Sequence, residues 1–135
     1  MRAADPTAQI SAVHLMRSLA PSGTHVGTFY PRDATGPVVV VQRMGGVMVN
    51  RITDGATITV QVYADTQGEA ERLAGILRNG LLEGVWPGTR TRDGHLLRGW
   101  REYAGPARYT DPDRPSKVRF PFSGQLLVST LMPRR

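Results

Sequence analysis

Three histidines, one pair of aspartates and two glycine-containing dipeptides are the residues whose types and spacing could do chemistry in this chain. His14, His25 and His95 stand far apart, and none has a second histidine or a carboxylate at metal-ligand spacing. His14 falls near the apolar side of a helical pattern, where a half-buried structural role is expected. Asp111 and Asp113 flank Pro112. Paired carboxylates can bind a cation or divide acid and base roles. An Asp-Pro-Asp spacing in a loop more commonly builds turns, and no third partner with a defined role is readable. Gly45-Gly46 lacks the Lys-Ser or Lys-Thr pair of a phosphate loop. Ser123-Gly124 reads as a strand bend rather than a nucleophile site. Trp86, Trp100 and Tyr109 could stack on bases. Without a basic cluster around them, packing is the expectation. The residues therefore predict no catalytic centre, no cofactor and no metal site.

Composition narrows the classes further. The 135 residues fit one domain, so residues 1–135 are expected to fold as a single unit. The absence of cysteine excludes a disulfide framework and any thiolate site. No apolar run approaches a membrane span, and residues 1–20 lack the continuous apolar stretch of a signal peptide. Net charge is +6, and all the basic residues but Lys117 are arginine. Positive charge favours nucleic acid or acidic partners, but here it is scattered from Arg2 to Arg135 rather than clustered. Arginine serves protein interfaces equally well.

The elements that must position these residues follow from periodicity. Asp5-Pro6 is a helix start, an aspartate cap before proline at the first helical position. Ala8, Ala12, Leu15, Met16 and Leu19 then share one helical face, ended by Pro21, Ser22 and Gly23. Residues 21–37 read as a loop with a short extended piece at 25–30. Residues 38–43 read as a strand whose start, residues 38–41, is β-branched and apolar on both faces, as in a central strand. Gly45-Gly46 is expected to break that strand as a turn or bulge would, residues 47–53 to form a weaker strand or extended arm, and Asp54-Gly55 to turn.

Residues 57–64 alternate strictly, with Ile58, Val60, Val62 and Ala64 on the buried side. Thr66-Gln67-Gly68-Glu69 is a capping box. It opens a helix to about Glu83 whose stripe is Ala70, Leu73, Ala74, Leu77 and Leu81, widened by Ile76 and Leu82. Gly84 is the expected stop. Residues 85–95 form a turn-rich connection, 96–104 a strand, 105–117 a loop and 118–131 a final strand. Phe120, Phe122, Leu126 and Val128 share one face of that strand, and Pro121 suggests an edge or an unpaired start. Residues 133–135 read as a frayed tail. The order predicts an α+β domain: one mixed or antiparallel sheet with two helices packed on one face. Leu127 and Leu131 fall on its polar side, which suggests assembly.

In order and spacing, the chain resembles the tail terminators of long-tailed bacteriophages (siphophages), especially those infecting actinobacteria. VVVVQRMGG from Val38, NRITDGATITVQVYA from Asn50, the helix TQGEAERLAGILRNGLL, GPARYTDPD from Gly105 and RFPFSGQLLVST from Arg119 carry the resemblance. The 84–92 connection is longer than a tight helix-to-strand turn, and Pro121 interrupts a strand that is usually continuous. The resemblance implies a structural virion protein rather than an enzyme. It would form a hexameric ring at the head-proximal end of the tail tube and end tube polymerisation. Its partners would be further copies of itself, the major tail tube protein and a neck or head-completion protein. Genomic DNA would pass through the lumen without sequence-specific binding, and no membrane would be involved. Assembly would take place in the host cytoplasm. The 45–54 arm and the 105–117 loop, being turn-rich and flanked by strands, are the expected contact elements. Their candidate residues are Arg43, Met44, Val47, Met48, Asn50, Arg51, Tyr109, Asp111 and Asp113, with Leu127 on the last strand. Two further readings stand beside this one, a head-closure or adaptor protein of the neck and a basic nucleic-acid-binding module.

Overall fold

A computed structural model describes residues 8–85, 88–91 and 96–131. The Asp5-Pro6 helix start, Trp86, His95 and the 133–135 tail lie outside the described residues. The elements run α1 (Ala8–Leu19), β1 (His25–Gly27), β2 (Val38–Asn50), β3 (Thr53–Ala64), α2 (Gln67–Gly84), β4 (Leu97–Ala104) and β5 (Val118–Ser129). The five strands form one mixed sheet in the order β1-β2-β3-β5-β4. β1 runs parallel to β2, and every other pairing is antiparallel. This is the α+β architecture that the periodicities predict.

The core follows from the alternation of the strands. Val39 and Val41 of β2, Ile58, Val60 and Val62 of β3, and Phe120, Phe122 and Leu126 of β5 turn to one face. Ala12 and Met16 of α1 and Leu73, Leu77 and Leu81 of α2 cover that face. The central stripe of α2 is buried throughout, whereas Ile76 is half-buried and Leu82, expected to widen the stripe, is exposed because it turns away from the sheet. Its N-terminus is capped as the sequence indicates, with Thr66 Oγ1 accepting from the Glu69 backbone N–H at 3.2 Å. Gly84 closes the helix without a left-handed residue, and the Val85 N–H returns to the Leu81 carbonyl. On the other face, Val38, Val40 and Tyr63 form a second small cluster with Tyr30 and Ala34. The start of β2 is thus apolar on both faces because both faces are covered.

The structure corrects three local expectations and selects between two at a fourth. Of the turn or bulge expected at Gly45-Gly46, it has the bulge. Both glycines have positive φ, at 134° and 115°, and β2 continues through them with a register shift between Arg43 and Gly45. Asp54-Gly55 is not the turn, since both residues lie within β3. The chain reverses at residues 51–52 instead, where the Asn50 side-chain oxygen accepts from the Ile52 N–H at 2.9 Å. β5 is an interior strand despite Pro121, which pairs with Gln61 of β3 at a level where β4 has already ended. Gly124 makes no simple bend, because its missing side chain leaves room for the Trp100 ring crossing from β4.

The glycines of the long hairpin also set how closely its strands pack. A Cβ on Gly46 would collide with the Gly55 carbonyl oxygen, on a backbone that already disfavours L side chains. Gly46→Ala is therefore expected to cost about 2 kcal/mol or more in urea unfolding. Gly75→Ala, in α2 with open space at its Cβ, is expected to stabilise by roughly 0.5–1 kcal/mol.

Candidate assembly surface

The outer half of β2 carries the most unusual surface of the described residues. β1 pairs only with Val38, Val39 and Val40, so residues 41–50 have no strand beside their outer edge among the described residues. Of the ten large apolar side chains exposed among the described residues, five fall here or in the turn that follows: Met44, Val47, Met48, Val49 and Ile52. The opposing residues of β3 are buried, because β5 covers them on the far side. The hairpin thus shows solvent one apolar edge and tip while its other strand is locked into the sheet. An exposed apolar patch of this kind marks an interaction site or an aggregation hazard.

An ion pair fixes the base of this arm. Arg43 and Asp54 share a face of the sheet across a register shift, and the guanidinium grips the carboxylate with both terminal nitrogens, Nη2 to Oδ1 at 2.7 Å. Arg43 Nε also donates to the Gly45 carbonyl at 3.0 Å, which holds the first glycine of the irregular stretch in place. The Arg43 backbone N–H points outward to the Gln9 side chain of α1 at 3.0 Å. Asp54 is 1% exposed, one of a set of buried polar residues at this end with Thr53, Ser129 and Thr130. Thr53 pairs with Ser129 in the β3–β5 ladder, and the Thr130 N–H donates to the Ile52 carbonyl at 2.9 Å. Hydrogen bonding rather than apolar burial therefore anchors the root of the tip.

Residues 105–117 lie at the other end of the sheet and are pinned down. The Tyr63 hydroxyl donates to Asp111 Oδ2 at 3.1 Å, and Arg114 Nη1 donates to the same oxygen at 3.1 Å. Asp111 Oδ1 accepts from the Asp113 N–H at 3.0 Å, the turn that the Asp-Pro-Asp spacing indicates. Burial pushes the Asp111 carboxyl upward, but the Asp113 N–H, the Tyr63 hydroxyl and Arg114 outweigh it and hold it below the usual aspartate value. The Arg114 guanidinium stacks 4.2 Å over the Tyr30 ring, and Tyr30 meets Tyr63 edge-on. Lys117 pairs with Asp65 at 2.5 Å, just before α2.

The candidate residues therefore fall into two groups that do not meet. Arg43, Met44, Val47, Met48, Asn50 and Arg51 gather at the arm, and Leu127 lies near them as the partner of Gly55. Leu127 and Leu131 are half-buried rather than exposed. Tyr109, Asp111 and Asp113 sit at the opposite end, separated from the arm by the length of β3, roughly 35–40 Å. Tyr109 is 56% exposed, although its N–H is bound to the Arg119 carbonyl. Asp54, Val49 and Ile52 belong to the arm although sequence reasoning did not select them. Asp54 was legible from its phase, since it falls on the same alternation as Ile58 and Val60. His14 is half-buried on α1 beside an open cleft. Among the described residues no group of three or more His, Asp or Glu could hold a metal ion, and no helix is long and apolar enough to cross a membrane.

A family model described as phage tail termination protein matches residues 4–118, which takes in both helices and the first four strands. No curated protein matches the chain.

The Arg43–Asp54 pair yields a direct test. Arg43→Ala leaves a buried carboxylate without its counter-charge and is expected to cost about 2–4 kcal/mol in urea unfolding. Replacing both partners, Arg43→Met with Asp54→Val, should recover much of that loss, since no buried charge then remains.

Proposed function

This chain belongs to the phage tail termination family, and from that premise we propose that it forms the hexameric ring closing the head-proximal end of a siphophage tail tube. Membership makes it a component of the virion tail that interacts with other virion proteins. The finer reading is a structural rather than catalytic role for a single domain. The ring binds the last ring of tube protein, stops polymerisation and presents a surface to the neck or head-completion protein. DNA passes through the lumen. Subunits form in the host cytoplasm and join the tail there.

One observation of the structure supports this best. The chain holds an exposed apolar arm and a pinned 105–117 segment at opposite ends of one sheet. Two different surfaces in fixed relation make a heterologous contact, which generates a closed ring when the rotation between subunits closes. In this arrangement the arm end of each subunit meets the 105–117 end of the next.

Deleting the gene from its phage and imaging the particles by negative stain tests the proposal. Overlong, headless tails beside filled heads are expected. Tails of normal length that fail to join heads would instead assign the chain to the head side of the neck, and intact infectious particles would contradict any role in the virion.

A further inference from the structure

A shallow cleft of about 210 Å³ opens where the α1–β1 connection meets α2. Pro21, Pro37, Leu73 and Ile76 give it an apolar lining, and Glu69 and Arg72 stand on its rim. Neither rim charge forms an ion pair among the described residues. Around it, residues 65–72 carry three acidic side chains (Asp65, Glu69 and Glu71) against one basic, Arg72; Lys117 pairs with Asp65, which leaves Glu69 and Glu71 outside any ion pair among the described residues. The tip of the arm has the opposite character. Between residues 44 and 53 the only charged side chain is Arg51, flanked by exposed Met48, Val49 and Ile52.

The two features cannot meet within one molecule. Pro37 stands at the start of β2 and Arg51 just beyond its end, so the cleft and the tip are separated by a thirteen-residue strand, roughly 40 Å. The Arg43–Asp54 pair and the β3–β5 ladder prevent the arm from folding back.

Resting on the ring reading above, we propose that the arm tip of one subunit docks in the Pro21–Pro37–Leu73–Ile76 cleft of the next copy of this chain. Ile52 and Met48 fill the apolar floor, and Arg51 pairs with Glu69 on the rim. An apolar centre with a charged rim is the usual anatomy of a specific interface. The rim pair selects the register, because a like charge in its place repels the incoming tip. The same contact repeated head to tail needs only these two surfaces per subunit.

The test uses phage particles carrying the substituted gene. The natural chain has no cysteine, so Ile52→Cys with Ile76→Cys introduces the only thiols. Tails purified from this variant and oxidised should give a ladder of cross-linked subunits on a non-reducing gel, which neither single variant gives. In parallel, Arg51→Glu and Glu69→Arg should each lower the amount of the protein on tails at least about tenfold, and the double reversal should restore it. Protein on the tails with neither ladder nor rescue would overturn the contact while leaving the ring standing. Absence of the unsubstituted protein from purified tails would overturn the ring reading and the contact together.

Discussion

The guanidinium of Arg43 and the carboxylate of Asp54 meet where one long hairpin changes character. On one side of them, β2 is buried between α1, β1 and β3. On the other, it runs on for seven exposed residues with no strand at its outer edge. A two-stranded ribbon alone is marginal in water. Here the ribbon is held by a buried bidentate ion pair, by two glycines that let the strands approach, and by β5 behind it. The cost of desolvating Asp54 is met only because Arg43 and its hydrogen bonds are positioned to meet it. The result is an apolar tip projected at a fixed place, so that little ordering is left for a partner to impose.

The far end of the sheet is fixed by different means. Tyr30, Tyr63, Asp111 and Arg114 form a compact polar and aromatic knot that ties residues 105–117 to the sheet and to the second small core. Lys117–Asp65 and Arg108–Gln67 extend the tie to the start of α2. Because β3 runs unbroken between the two ends, their relative orientation is a property of the fold rather than of a linker. In the proposed ring this matters, since the angle between two contact surfaces decides whether copies close or continue as a filament. Membership of the tail termination family makes the chain a part of the virion tail that contacts other virion proteins.

Much of the scaffold was legible in the sequence. The alternation from Ile58 to Ala64, the stripe of α2 and the Thr66 cap all appear as read, because each depends on neighbours within a few residues. What failed depended on distant partners. Asp54-Gly55 is a strong local turn signal, yet Asp54 is satisfied by a side chain eleven residues earlier across a register shift. Gly55 is needed because Val49 and Gln125 crowd its face. Pro121 suggests an edge strand by local chemistry, but the sheet places it interior at a level where β4 has stopped. The apolar character of the arm was visible in Met44, Val47 and Met48, which the structure leaves exposed. That the 105–117 segment is pinned was not, because the Tyr63–Asp111 contact joins positions 48 residues apart.

A cryo-electron microscopy reconstruction of the neck and upper tail of the intact particle tests the account most directly. It should show a ring of this chain between the last tube ring and the neck, with the arm end of each subunit against the 105–117 end of its neighbour. A ring in which like ends meet, or copies of the chain placed anywhere else in the particle, would contradict it.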